Sequence, residues 1–312
     1  LDASTGRIVY QQGADLRVFE IGSGTDRLVE IRLGSDRART RTRWIDDPMN
    51  WLTSTELAPA GDRVVVTARG RLVVLGTGEL RRIEIPLPEA TRARDAILSH
   101  DGAWVYAVVD AGGEQEIWRF PASGEGMPGV GSGEPLTSDA AGHRTGMVLS
   151  PDGRLLAHTD RRGNLYLLEV ESGRNEQVDS ARGAGYRDIE WSPDSKTLAL
   201  ARFDSPARRP QIVLLDLERR ETHTLTSDRY ESYSPTFSPD GRWLWFLSDR
   251  NFSSPTPGSP WGDRNLGPVF DQRTRIYALA LQPGNAFPLA PRTELTPSGA
   301  GRATNDTARA GG

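Results

Sequence analysis

The sequence predicts an all-β fold, a β-propeller of four-stranded antiparallel blades, on three observations. A turn motif recurs as Ala58-Pro-Ala-Gly61, Ser99-His-Asp-Gly102, Ser150-Pro-Asp-Gly153, Ser192-Pro-Asp-Ser195 and Ser238-Pro-Asp-Gly241. The last positions of these copies stand 41, 51, 42 and 46 residues apart, which is the period of a propeller blade. The segments between them are short and strand-like, and no stretch sustains helical spacing between caps.

The motif suits a tight link between two antiparallel strands. Pro presets φ for the first central position, Asp accepts hydrogen bonds from nearby backbone N–H groups, and Gly adopts a positive φ cheaply. A further copy, degenerate before its glycine, sits at Gly6-Arg7.

The segment after each turn repeats as well. Arg154 to Asp160 reads as a strand, Arg161-Arg-Gly163 as a turn, and Asn164 to Val170 as a second strand. Glu171-Ser-Gly173 then turns into a third strand, Asn175 to Val178. Asp15 to Gly24 matches Asn164 to Gly173 almost position for position. Thr197 to Phe203 pairs in the same way with Gln211 to Leu217, and Trp243 to Asp249 with Arg275 to Leu281. The residues before each motif form one more strand, as in Arg187 to Trp191.

Each unit thus supplies about four strands, and six blades are visible at roughly 6–33, 51–87, 94–137, 143–179, 187–226 and 233–290. Closing such blades into a ring protects their edges. The first blade lacks its innermost strand, which is expected either before residue 1 or from the segment Phe287 to Leu295. Residues 1–297 are read as the propeller. Ser298 to Gly312, small and polar, reads as a flexible tail or linker toward downstream domains. Asn251 to Gln272 is a long Ser/Pro/Gly-rich insertion within the last blade, of a length that is functional or disordered in compact domains.

Composition narrows the function classes. The hydrophobic share is 37% with 26% charged, which suits a globular chain. The longest apolar runs, such as Trp243 to Leu247, have strand length, whereas a membrane helix needs ~20 apolar residues. A net charge of −4 argues against nucleic acid or anionic lipid as the main partner. Lys196 is the single lysine among 38 basic residues. There is no cysteine, hence no disulfide framework and no cysteine-based metal site, which leaves cytoplasm and periplasm both open. The chain opens on Leu1 directly in strand-like sequence without a signal segment, and reads as a piece of a longer protein.

No catalytic, cofactor-binding or metal-binding residue is predicted. Nucleophilic catalysis needs a base within reach of a Ser and oriented by an acid. His100 stands between Ser99 and Asp101 by adjacency alone and reads as a turn residue. His158 and His223 fall in strands of different blades, and His143 precedes a strand. Neither a Gly-x-Ser-x-Gly elbow nor a His-Glu-x-x-His motif occurs. Gly124 to Gly129 matches Gly-x-Gly-x-x-Gly, but Pro128 and a further strand come after it instead of the helix a phosphate cradle requires. Arg37, Arg39, Arg41 and Arg43 alternate, so a strand would put four guanidinium groups on one face, either solvated or gripping an acidic partner. Trp261 and Phe270 in the long insertion are candidates for docking on a neighbouring domain.

The best blade copy, Phe237-Ser-Pro-Asp-Gly-Arg-Trp-Leu-Trp-Phe-Leu-Ser-Asp-Arg250, resembles the repeats of the Tol-system propeller, of tricorn and of prolyl-oligopeptidase relatives. Gly267 to Leu281, with Phe287 to Glu294, resembles the segment with which tricorn-type peptidases leave their second propeller. Arg7 to Leu33 followed by Trp44 resembles the opening of that same propeller. Over most of its length the chain is therefore similar to the second propeller of a tricorn-type serine peptidase, in which seven blades are expected where six are visible here. The resemblance implies a cytoplasmic, oligomeric peptidase that degrades peptides, with this domain as a non-catalytic gate or scaffold and the catalytic residues downstream. Peptide substrates and the other domains of the parent are the implied partners. The alternative is an exported, periplasmic binding propeller of the Tol type without enzymatic activity.

Overall fold

The computed structural model describes residues 2–4, 6–12, 15–31, 44, 46–78, 82–126, 132–139, 142–181, 185–251, 273–285 and 287–289. Two compact units divide the chain, Leu1–Pro48 and Met49–Gly312. The alternating arginines 37 to 43, Trp261, Phe270 and the tail 298–312 lie outside the described residues.

The first unit holds one sheet in the order β1 (Asp2–Ser4), β2 (Arg7–Gln12), β3 (Asp15–Glu20) and β4 (Thr25–Leu28). The strand that the first blade was expected to lack is thus supplied from within the chain, by β1 at one edge of this sheet. It escapes the sequence because Asp2–Ser4 has no strand-length apolar pattern.

The second unit holds five sheets among the described residues. Their strands are β5 (Leu52–Leu57), β6 (Arg63–Ala68), β7 (Arg71–Gly76) and β8 (Ile83–Ile85); then β9 (Ala93–Leu98), β10 (Trp104–Val109), β11 (Glu116–Pro121) and β12 (Glu134–Pro135). Next come β13 (Arg144–Leu149), β14 (Leu155–Asp160), β15 (Asn164–Glu169) and β16 (Asn175–Ser180). β17 (Gly185–Trp191), β18 (Thr197–Phe203), β19 (Gln211–Asp216) and β20 (Glu221–Thr224) form the fourth of these sheets. The last has three strands among the described residues, β21 (Ser232–Phe237), β22 (Trp243–Ser248) and β23 (Arg275–Ala280). Every pairing is antiparallel between chain neighbours, and the sheets coincide with the blades read from the repeat.

In four of the sheets the recurrent turn joins the first and second strands through one hydrogen-bond pattern. Ser150 Oγ donates to Asp152 Oδ1 at 2.6 Å and accepts the Leu155 N–H at 3.0 Å. Asp152 Oδ1 also accepts the Arg154 N–H at 3.1 Å, and the Gly153 N–H closes onto the Ser150 carbonyl at 2.8 Å. The same Ser–Asp bond recurs at Ser99, Ser192 and Ser238, at 2.5, 2.6 and 2.5 Å. The Ser99 and Ser238 hydroxyls, with backbone N–H groups, hold Asp101 and Asp240 below the usual carboxylate range. At Asp152 burial raises the pKa, but the combined hydrogen bonds outweigh it and the net direction is down. The copy Ala58-Pro-Ala-Gly61 keeps the backbone turn, with Gly61 N–H on the Ala58 carbonyl at 2.8 Å, but has neither side chain.

The core is laminated between sheets. Because side chains alternate along a strand, Val105, Ala107 and Val109 of β10 join Val65, Leu72 and Ile85 of the preceding sheet. Tyr106 and Val108 of the same strand join Met147, Leu156 and Leu168 of the following one. β18 divides likewise: Leu198 and Leu200 pack against Leu165 and Leu167, while Ala199 and Ala201 pack against Leu244 and Phe246. Second strands buried on both faces read as nearly continuous apolar runs, as buried strands do.

Candidate functional site

Within the second unit the first strands stand side by side, β5 beside β9, β9 beside β13, β13 beside β17 and β17 beside β21. In a propeller the first strands border the central axis. Each of these five strands carries a bulge against its partner, four residues before the turn motif in β9, β13, β17 and β21 and one residue earlier, at Thr53, in β5. The bulged residue is left-handed in four of them: Asp95 (φ 53), Gly146 (φ 61), Asp188 (φ 52) and Ser234 (φ 49). A bulge sets two residues against one and re-aims the side chains beyond it.

The bulges bring polar groups of adjacent sheets together. The Ser234 N–H donates to Asp188 Oδ2 at 2.9 Å, and Thr236 Oγ1 donates to Glu190 Oε1 at 3.2 Å. Arg94 donates to the Arg144 carbonyl and to Gln115 Oε1, the latter at 2.6 Å. Burial pushes the Glu190 carboxyl up, only partly offset by the Thr236 hydroxyl. The row two residues before each turn motif is Glu56, Ile97, Val148, Glu190 and Thr236, mixed in charge and polarity. Sequence reading missed this row, although aligning the repeats on their turns would have found it.

A second polar cluster, buried at Arg144 and His158 and reaching the surface at Asp139, lies between the sheets of β9–β12 and β13–β16. Arg144 is fully buried; its Nη2 donates to Glu116 Oε2 at 2.8 Å and to Asp139, and its Nε to the Gln115 carbonyl at 3.0 Å. Asp139 Oδ2 accepts from Asn175 Nδ2 at 2.9 Å, and Asn175 Oδ1 meets His158 Nε2 at 2.9 Å. His158 is fully buried and stacks on Tyr166 with ring centroids 5.0 Å apart. Its Nδ1 has no hydrogen-bond partner. Burial pushes the imidazole down to about 4, and Arg144 adds to that direction, while Asn175, Asp139 and Asp160 oppose it. The alternation of β14 places His158 on the same face as Leu156.

The other predicted positions stay apart. His100 is exposed in its turn. His143 is exposed with Nδ1 2.7 Å from Gln115 Oε1, and His223 is exposed on β20 with Nε2 3.7 Å from Glu221. Gly124 and Gly126 lie between β11 and β12, and a Cβ on Gly124 would meet Ile83 at 2.5 Å. Among the described residues no three His, Asp or Glu side chains gather as a metal-binding group. No helix among them is long and apolar enough to cross a membrane.

Antiparallel four-stranded sheets stacked face to face, with their first strands adjacent, define a β-propeller domain. The chain belongs to the family of the tricorn protease second β-propeller domain, whose model matches residues 52–308. It is 26% identical to the Tricorn protease homolog 1 of Streptomyces coelicolor over 93% of this chain and 27% of that protein. It is 22% identical to the Tricorn protease of Thermoplasma acidophilum over 96% of this chain and 27% of that protein. The chain thus spans about a quarter of the length of these relatives. Among solved structures, that of the tricorn protease superposes with a TM-score of 0.67 at 20% identity, over 92% of this chain and 27% of that one.

Proposed function

We propose that this chain is a non-catalytic propeller of a tricorn-like serine peptidase, gating or scaffolding peptide access to an active site located elsewhere in the parent. The family match over residues 52–308 carries this reading. The polar side chains of β17 support it, since Arg187, Asp188 and Glu190 offer a passing peptide charged groups on a first strand. The parent is then a cytoplasmic, oligomeric peptidase whose substrates are peptides, and residues 1–297 form its propeller. A full-length parent should cleave short peptides and spare folded proteins, and this chain alone should cleave nothing. Peptidase activity from the purified chain would sink the assignment.

A Tol-type binding propeller is the second reading. It is favoured by 34% identity to the Protein TolB homolog of Chlorobium chlorochromatii, but over only 33% of this chain. A signal peptide and the lack of a peptidase region in the parent gene would select it.

A further inference from the structure

The cluster around Arg144 and His158 is a circuit of hydrogen bonds with one link still to be made. Strand register sets the two side chains on one face of the β13–β16 sheet. Arg144 of β13 pairs with Asp160 of β14, and His158 stands two residues before Asp160 on that strand. Positions two apart on a strand return to the same face. Both side chains are fully buried. The Nε and Nη2 atoms of Arg144 are taken by the Gln115 carbonyl, Glu116 and Asp139. Its Nη1 is buried and has no hydrogen-bond partner among the described residues.

The direction of each bond in the circuit follows from chemistry. Asp139, paired with the guanidinium, is a carboxylate and can only accept. Its 2.9 Å bond therefore comes from the Asn175 Nδ2 donor, which turns the amide oxygen toward His158. That oxygen also only accepts, so the proton in the 2.9 Å contact belongs to His158 Nε2. A neutral imidazole protonated at Nε2 presents a bare lone pair at Nδ1. This lone pair, too, is buried without a partner among the described residues. The Tyr166 ring, stacked 7° from parallel, fixes the plane in which Nδ1 points.

One unmatched atom is thus a donor and the other an acceptor, and leaving either unmade inside a fold is costly. We infer that a single internal water bridges Arg144 Nη1 and His158 Nδ1, accepting from the guanidinium and donating to the imidazole. The circuit Arg144–Asp139–Asn175–His158–water then closes, tying β13, β14 and β16 to the connection that leads into β13. The bridging group must both accept and donate. Chloride or a carboxylate accepts from Nη1 but has nothing to give Nδ1, and a cation is repelled by Arg144. Water meets both demands, and water held by buried polar groups is an integral part of a fold. The inference is independent of the function proposed above.

The test is a crystal structure of this chain at neutral pH, joined to nuclear magnetic resonance of the wild type in solution. One solvent peak is expected at about 2.7–3.2 Å from both Nη1 and Nδ1. A direct Arg144–His158 contact, a protein donor on Nδ1, or solvent within reach of only one of the two atoms overturns the inference. Nitrogen-15 spectra should show the His158 proton on Nε2 at neutral pH; a proton on Nδ1 also overturns it. Oxygen-17 relaxation dispersion counts long-lived internal waters, and the count should fall by about one in His158→Phe, which keeps a stacked ring and removes the lone pair. An unchanged count in the folded variant sinks the bridge. Should that variant fail to fold, the wild-type crystal and nitrogen spectra decide the matter on their own.

Discussion

His158 makes the fold sensitive to acid in a defined window. Its imidazole is fully buried, shares Nε2 with Asn175 and has no acceptor at Nδ1 among the described residues, so burial and then Arg144 disfavour a proton there more than Asn175, Asp139 and Asp160 favour it. The folded pKa is about 4 against an ordinary 6.5. Since the unfolded chain binds this proton more readily, stability rises with pH between those values. The contribution is complete above about 6.5 and is lost as pH falls through about 4. At 1.36 kcal/mol per unit, lowering pH from 7 to 5 removes about 2 kcal/mol, and the full window about 3 kcal/mol. The assay is urea unfolding followed by tryptophan fluorescence at both pH values, for the wild-type chain and for His158→Gln, which keeps an amide near Asn175. Carboxylates lower stability in acid for both proteins, so the difference isolates the imidazole. Identical pH dependence of the two would refute the reasoning.

Two further outcomes concern the turns. The double substitution Ala58→Ser/Ala60→Asp should install the hydrogen bonds that the other four copies possess and raise stability by about 1–2 kcal/mol, read as an increased urea midpoint. Gly163→Ala should cost at least about 2 kcal/mol in the same measurement, because Gly163 has φ of 84 and a Cβ there would meet the Ala181 carbonyl at 2.4 Å.

The repeat was legible because its signals are local. In four of the five turns Ser and Asp bond to each other and to backbone N–H groups within six residues, so spacing and residue type sufficed to place five hairpins and the sheets around them. The Asp2–Ser4 strand was illegible because three residues cannot show a period. Arg144 looked like any of the many arginines, since the partners that make it a buried cation, Glu116 and Asp139, come from the neighbouring repeat or the connection to it. His158 was read as a strand residue, which it is; its neighbourhood depends on Asn175 and Asp139, brought in by tertiary packing. The left-handed bulges fall on Asp, Gly and Ser, residues common in ordinary strand ends, and only superposing the repeats makes them stand out.

The sharing of the second strands β10, β14 and β18 between two hydrophobic layers has a consequence for how this architecture can be edited. Within the second unit, excising an interior repeat would strip the apolar partner from both of its neighbours at once, whereas removing its first or last sheet uncovers a single one of these layers. Stability in such a stack resides in the contacts between repeats more than in any one of them, so gain or loss of blades over evolution is expected at termini or by duplication of whole units that bring both halves of an interface with them.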